Sequence, residues 1–441
     1  MTPEITRVLK DYQVEPALAL HRALTNGEQE WGYPGAVDLS EVGVGKSFMD
    51  LAAMLETGRK VVVLCPVVGV SGWQKAFAHF GAAPHFIGSY EAVRGGFRPD
   101  VATIHGGEFR WKNAGEIGLI LDEAQAVKNQ NSISSYCADG AIAQKIPMIC
   151  ASATLAISPL ELRIAGQITG LHKGGDDWLR FMVEHGCEWS EDEQKWKWNR
   201  KPIHLDRINR LLIPQRGIRV RKADMGEQPG TTLAILPLDV PEGPQIEKEW
   251  RDALDQLDRL ERQNMPFQQA MNLRRAVRTR LWKRCEMALV EEVAGRVDDD
   301  VRAGKSVVVF FSFTESRMAM GRILGVCAGF YGGQQPKARA YWQEEFQANR
   351  QHILLCNITS GGASVSLHDT TGDRPRVSYI FPTDRAVSAG QAPGRIDRSG
   401  SMTHSMQFIP CVRGTLCERM VHQTMKKLGQ LQILNDGATN S

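Results

Sequence analysis

The chain has 441 residues, 42% of them hydrophobic and 23% charged, with a formal net charge of +3. That length and composition suit a folded chain with two domains, each able to bury its own core, and exclude extended disorder. No apolar run approaches the roughly 18 to 20 residues that a membrane span needs. The first residues carry an early acid, Glu4, and no apolar stretch, so no secretory leader is expected. The nine cysteines are scattered without a CxxC pair, which favours a reducing cytoplasm over a zinc or disulfide framework.

In chain order, the first strands are expected at Val61–Cys65, Gly118–Asp122 and Pro147–Ala151, short apolar runs separated by helical segments and Gly-rich turns. Residues 160–225 read as a mixed helical, basic insertion. Between Lys195 and Lys222 stand ten Lys or Arg and one acid, Asp206, with Trp196 and Trp198 near the start. Such charge suits a polyphosphate backbone, although a solvated helix face fits either basic block taken alone. The two tryptophans suit either stacking on bases or, the reading we prefer, burial in a small core of the insertion.

A Pro- and Gly-containing passage from Gln228 to Pro244 then reads as extended chain, followed by charged helices over 246–297. A second basic block, Arg274, Arg275, Arg278, Arg280, Lys283 and Arg284, lies within them. Further strands are expected at Ser306–Phe311, Ile353–Cys356 and Val377–Phe381, and residues 435–441 are expected to fray. Strands alternating with helices make each half an α/β lobe with a parallel sheet, the division falling between 1–228 and 229–441.

The sharpest local signal is Ser40-Glu41-Val42-Gly43-Val44-Gly45-Lys46-Ser47, followed by a helical pattern. Glycines let backbone N–H groups face phosphate oxygens at a helix N-terminus; Lys46 can neutralise β and γ phosphates, and Ser47 can ligate Mg²⁺. Ser40 stands where the strict pattern has glycine. Downstream, an apolar strand ends in Asp122-Glu123-Ala124-Gln125, placing carboxylates where such sheets bind ligands. Asp122 suits Mg²⁺, and Glu123 suits orienting and deprotonating a water. An exposed acidic turn is the plainer reading of an Asp-Glu pair alone; both motifs, in this order and each after a strand, argue against it.

These motifs, with Ala151-Ser152-Ala153-Thr154 after them and Gln391-Ala392-Pro393-Gly394-Arg395-Ile396-Asp397-Arg398 in the second half, resemble those of superfamily 2 helicases and translocases. The resemblance implies two RecA-like lobes with a helical insertion between them, ATP and Mg²⁺ as cofactors, and a nucleic-acid partner. It implies that Arg395 and Arg398, with Gln391 beside them, reach the γ-phosphate from the opposing lobe, and that Gln125 hydrogen-bonds across the cleft. Within that superfamily the chain is similar to the Swi/Snf group of double-stranded DNA translocases. Asp11-Tyr12-Gln13 resembles its opening motif, in which the glutamine reads adenine. Cys65-Pro66 with Trp73, Ser89-Tyr90-Glu91, Val127-Lys128-Asn129, Ile218-Arg219 with Lys222 and Asp224, Ser306–Phe313, Tyr331-Gly332-Gly333 with Arg339 and Phe346, and Gly414–Glu418 resemble its further motifs. The insertion, with Phe181, Cys187, Trp189 and Leu205–Leu212, looks most like the annealing-helicase branch.

Two departures bear on coupling between DNA and ATP. Thr359–Leu367 stands where the group has a KAGGxGxNL-like segment, with Ser364 for a glycine and Ser366 for the asparagine. Gln125 replaces the commoner histidine. The expectation is a minimal, monomeric motor of bacterial or phage type acting in the cytoplasm on duplex or branched DNA, without a membrane; a protein partner is compatible with it. Its nucleic-acid contacts are expected from Ser89, Tyr90, Lys222, Thr314, Thr359 and Ser360. A strand-separating enzyme and a nucleotide-gated clamp on DNA, RNA or a polymerase share the same motifs.

Overall fold

The computed structural model describes all residues except 1, 97, 99, 106–107, 129–131, 227–228, 263–266, 359–364, 383–392, 399 and 437–441. The chain divides into two units, Met1–Gly226 with Gly429–Ser441, and Glu227–Leu428. The division near 228 lies beside the expected one, but the chain from Gly429 on goes with the first unit and not, as the sequence suggested, with the second.

In the first unit, β1 (Gly35–Asp38), β2 (Lys60–Leu64), β3 (Phe86–Gly88), β4 (Ile117–Asp122), β5 (Met148–Ala151) and β6 (Gly217–Ile218) form one six-stranded sheet in the order β6-β1-β5-β4-β2-β3. Every pairing in it is parallel. Alternate side chains go to opposite faces. Val62, Leu64, Leu119, Leu121, Met148 and Cys150 enter one buried cluster, while Val61, Val63, Ile120, Ile149 and Ala151 enter another. Both faces are covered, which is why these strands are apolar throughout rather than alternating. Fully burying each larger side chain contributes roughly 1.5 to 3 kcal/mol.

The register positions the site. Asp38 pairs with Ala151, and Ala151 with Asp122, so three adjacent strands end level. The segments that follow them therefore leave the sheet along one edge.

The insertion combines helices Arg163–Ile168, Gly175–Glu184 and Pro202–Leu212 with an antiparallel hairpin, Cys187–Ser190 against Lys195–Trp198. It is thus not purely helical. Trp178, Phe181, Leu205, Ile208 and Leu212 join one of the two sheet-face clusters, and Trp196 and Trp198 pack partly buried against it. Burial is what the structure gives these two tryptophans; Trp189 meets Trp196 edge-on and stays 43% exposed.

The second unit holds β7 (Thr231–Leu238), β8 (Ser306–Phe311), β9 (Ile353–Asn357), β10 (Arg376–Ile380) and β11 (Ser405–Val412) in the order β7-β11-β10-β8-β9, again all parallel. The passage read as extended chain contains β7, which pairs with β11 along its whole length. Pro237 is tolerated there because an edge strand has one side on which no N–H is needed. Helices Gly243–Arg262, Phe267–Ala288 and Val290–Arg302 occupy the charged stretch.

The helix Leu416–Asp436 ends the described chain. Asn435 and Asp436, expected to fray, form its last turn; Leu434 is buried in the first unit's core and Asn435 is 2% exposed. Among the described residues no helix is long and apolar enough to cross a membrane.

Candidate functional site

Beyond Asp38 the chain turns through Leu39–Gly45 into the helix Lys46–Leu55. Gly43 and Gly45 have φ of +92° and +91°, a left-handed conformation that costs glycine little. A Cβ on Gly45 would also collide with Gln13 Nε2. Gln13 is buried; its Nε2 donates to Val44 O at 3.1 Å and its Oε1 accepts from Lys10 N at 3.1 Å. Tyr12 donates to the same carbonyl at 3.0 Å. The structure thus brings Gln13 onto the glycine loop.

Ser40 has its own reason to replace glycine. Its N–H donates to Asp38 Oδ1 at 2.7 Å, and its Oγ accepts from Val220 N at 2.9 Å, tying the loop to the chain beyond β6. Lys46 Nζ donates to the carbonyls of Ser40 and Glu41, each at 2.9 Å. Ser47 follows in the first helical turn, where a hydroxyl can face the same space.

Asp122, at the end of β4, accepts from Trp73 Nε1 at 2.8 Å and from Glu123 N at 3.0 Å. Burial, with Glu123 adding to it, pushes its carboxyl up to about 6. Glu123 has φ of +54°, a strained value for a non-glycine that turns the chain sharply away from the strand. Gln125 Nε2 donates to Glu123 Oε2 at 2.8 Å, and Ser152 Oγ donates to Gln125 Oε1 at 2.6 Å. Thr154 N donates to Ser152 Oγ at 2.9 Å. Gln125 therefore links the acid pair to the Ser-Ala-Thr turn of the same unit.

Two acids were not singled out in the sequence. Asp38 and Asp50 are both fully buried, and burial raises both carboxyls above the usual range, Asp50 strongly. Burial lowers the Lys46 ammonium, opposed by Asp38, Glu123, Asp122 and Asp50. The lysine with the Asp122–Glu123 pair could take a metal ion with an anionic ligand: the ion would answer the acids and the anion the lysine and the loop. Ser47 and Asp122 are hard oxygen donors of the kind Mg²⁺ takes, the remaining positions going to water and phosphate. Among the described residues no group of three or more His, Cys, Asp or Glu could hold a metal alone.

The expected nucleic-acid residues of this unit divide. Ser89 is half-buried and accepts from Ala92 N at 3.2 Å. Tyr90 is 5% exposed and donates to Asp122 O at 3.0 Å, so its side chain supports the acid pair and presents little surface to a partner. Lys222 is half-buried, with its backbone N–H on Glu41 Oε2 at 2.8 Å. Much of the first basic block is paired: Lys195 and Lys197 with Glu193, Arg210 with Asp206, Arg219 and Arg221 with Asp436.

In the second unit, Arg398 donates from Nη1 to Ser366 Oγ at 2.8 Å and from Nε to Gly394 O at 3.1 Å. Ser366, the departure from the related pattern, is thus a partner of that arginine. Arg395 is 2% exposed, and its carbonyl accepts from Leu367 N at 2.9 Å. Gln391, Thr359, Ser360 and Ser364 lie outside the described residues. Thr314 is exposed at the start of helix Thr314–Leu324. The turn before it is held by Glu286, which accepts from Ser312 N at 3.1 Å and Phe313 N at 3.0 Å; burial pushes this carboxyl up to about 7.

Of the arginines that lack an acid among the described residues, the sequence singled out Arg275, Arg278, Arg280 and Arg339 but not Arg317. Arg317 lies 4.4 Å over the Tyr331 ring and Arg339 lies 5.8 Å over that of Phe330. Arg275, Arg278 and Arg280 are exposed on helix Phe267–Ala288. None of these five has an ion-pair partner among the described residues.

No protein-family profile matches the chain. A protein of Acanthamoeba polyphaga mimivirus, provisionally named an ATP-dependent RNA helicase, is 24% identical over 431 residues, 91% of this chain and 80% of that protein. Two solved structures superpose loosely. Saccharomyces cerevisiae Dbp5 bound to RNA and ADP BeF3 does so with a TM-score of 0.49 and 11% identity, over 100% of this chain and 93% of that one. The Sulfolobus solfataricus SWI2/SNF2 ATPase core in complex with dsDNA does so with a TM-score of 0.38 and 14% identity, over 97% and 93%. The chain is thus similar over 91% of its length to a viral protein named as a helicase, and its motif residues are gathered in order along one sheet edge.

Proposed function

We propose that this chain is an ATP-driven motor that moves along double-stranded DNA by its phosphate backbone. The observation that carries the reading is the level edge at Asp38, Ala151 and Asp122, which gathers the glycine loop, the acid pair and the Ser-Ala-Thr turn. Lys46 and the loop N–H groups bind the β and γ phosphates of ATP, and Gln13 holds the loop in shape. Bound Mg²⁺, held by Ser47 and Asp122, supplies charge neutralisation on the phosphates. Glu123, oriented by Gln125, takes the proton of the attacking water. Arg395 and Arg398 of the second unit place positive charge on the γ-phosphoryl oxygens; an arginine in that role is worth roughly 10³ to 10⁵ in rate, about 4 to 7 kcal/mol.

The DNA track is supported by the arginines without acids and by exposed Thr314. Contacts of this kind go to phosphates, which carry no sequence information, so binding is sequence-tolerant and weakened by salt. ATPase rates with duplex DNA, single-stranded DNA and RNA, measured side by side, test the reading. Duplex DNA is expected to stimulate most. Stimulation by RNA alone overturns the choice of track, and nucleotide-dependent DNA binding without stimulated turnover favours a gated clamp over a motor.

A further inference from the structure

The last helical turn before residue 437 is fastened to the nucleotide site of the first unit, where the sequence shows no motif. Asp436 accepts from Arg219 with both oxygens, Nε to Oδ1 at 2.8 Å and Nη2 to Oδ2 at 3.1 Å, and from Arg221 Nε at 2.9 Å. The Arg219 side chain is 8% exposed; it also donates to Leu39 O, and its Nη2 lies 3.5 Å from Glu41 Oε1. Glu41 in turn accepts from Lys222 N through its carboxylate and from Lys46 Nζ through its carbonyl. Asn435, buried, donates to Ala153 O at 2.9 Å. Ala153 stands between Ser152, which holds Gln125, and Thr154, which donates back to Ser152. Leu434 is fully buried and its carbonyl accepts from Asn209 Nδ2 at 2.8 Å, so the turn is anchored independently of these two contacts.

Two neighbouring side chains thus reach the two arms of one site. We propose that Asp436 and Asn435 are positioning residues for ATP hydrolysis. Asp436, through Arg219, fixes the Leu39–Glu41 approach to the glycine loop and so the place of the Lys46 ammonium. Asn435, through Ala153, fixes the turn that orients Gln125 and thereby Glu123. A two-oxygen, charge-assisted pair gives direction as well as strength, so its loss frees a nearly buried guanidinium to pull on Leu39 and Glu41. The first contact governs ground-state binding of the nucleotide and the second the chemical step, a distinction kinetics can read. The inference rests on the ATPase reading above.

The test uses the full chain with Asp436→Ala, Asp436→Asn, Asp436→Glu and Asn435→Ala. It reads kcat and KM for ATP, Kd for a fluorescent ATP analogue, and Tm. Asp436→Ala is expected to raise KM and Kd by about fivefold or more with kcat within about twofold, and Asp436→Glu to recover most of that loss. Asn435→Ala is expected to lower kcat by about fivefold or more with KM within about twofold. If Asp436→Ala does not fold, Asp436→Asn, which keeps the shape and drops the charge, must shift KM in the same direction. Unchanged KM and kcat, or losses that follow Tm alone without the split, overturn the inference and leave the ATPase reading standing. A wild-type chain that neither binds nor hydrolyses ATP removes both.

Discussion

The first unit surrounds one lysine with acids, whereas the second carries arginines that have none among the described residues. Around Lys46 stand Asp38, Asp50, Asp122 and Glu123, all within electrostatic reach. In the second unit Arg317 and Arg339 rest on aromatic rings, and Arg275, Arg278 and Arg280 face outward. The lesson is that two units built on all-parallel sheets surround their cations differently. Under the function proposed above, the first arrangement serves an anion that brings its own metal and the second a bare anion such as a phosphate backbone.

The strongest way to break that contrast is Arg398→Ala. If second-unit arginines also serve the nucleotide, turnover falls by about 10³ or more while ATP binding persists; near-normal turnover removes Arg398 from the mechanism. Glu123→Gln isolates the first unit's chemistry. Single-turnover hydrolysis is expected to drop about 10² to 10⁴-fold with nucleotide affinity changed only a few-fold, and a small drop assigns the proton transfer elsewhere.

Replacing Arg275, Arg278 and Arg280 together by alanine sharpens the other side. Duplex DNA affinity should fall roughly tenfold or more at low salt. The slope of log affinity against log salt should shrink by about one for each phosphate that is no longer neutralised, with ATP binding in the absence of DNA unchanged. An unchanged slope means that this helix face is only solvated.

The smallest expected effect concerns Glu286, whose raised carboxyl sets a pH dependence of sign opposite to that of a salt-bridged acid. The folded chain keeps this proton to about pH 7 while the unfolded chain loses it near the ordinary glutamate value. Its contribution is therefore full below about pH 4.5 and is lost progressively as pH rises to about 7, on the order of 3 kcal/mol in total. Glu286→Gln should flatten that part of the stability curve measured by denaturant unfolding. A curve as steep as the wild type's places the titration on another group.

Much of the architecture was legible along the chain. Runs such as Val61–Cys65 and Ser306–Phe311 are apolar at every position because both faces of a parallel sheet are covered, and the structure places strands there to within a residue. The Pro-containing stretch Thr231–Leu238 was not legible as a strand, since its partner Ser405–Val412 lies far along the chain and only an edge position admits Pro237. The residues proposed to bind the nucleotide could be picked out because their spacing is local: glycines before Lys46, two acids at the end of an apolar run. Supports such as Asn435 and Asp436 could not be read, because they come from a distant segment.

By itself, then, the sequence determined the central apolar strands, where the glycine loop turns, and which acids end β4, all consequences of local pattern. Tertiary structure decided the rest. It buried Tyr90 beneath Asp122, gave Ser366 to Arg398, set Asp38 beside Asp50, paired much of the first basic block, and bound Asn435 and Asp436 where fraying was expected. The physical reason is common to all of these: a polar side chain takes its role from whichever partner burial forces on it, and that partner is chosen by packing between segments remote in sequence.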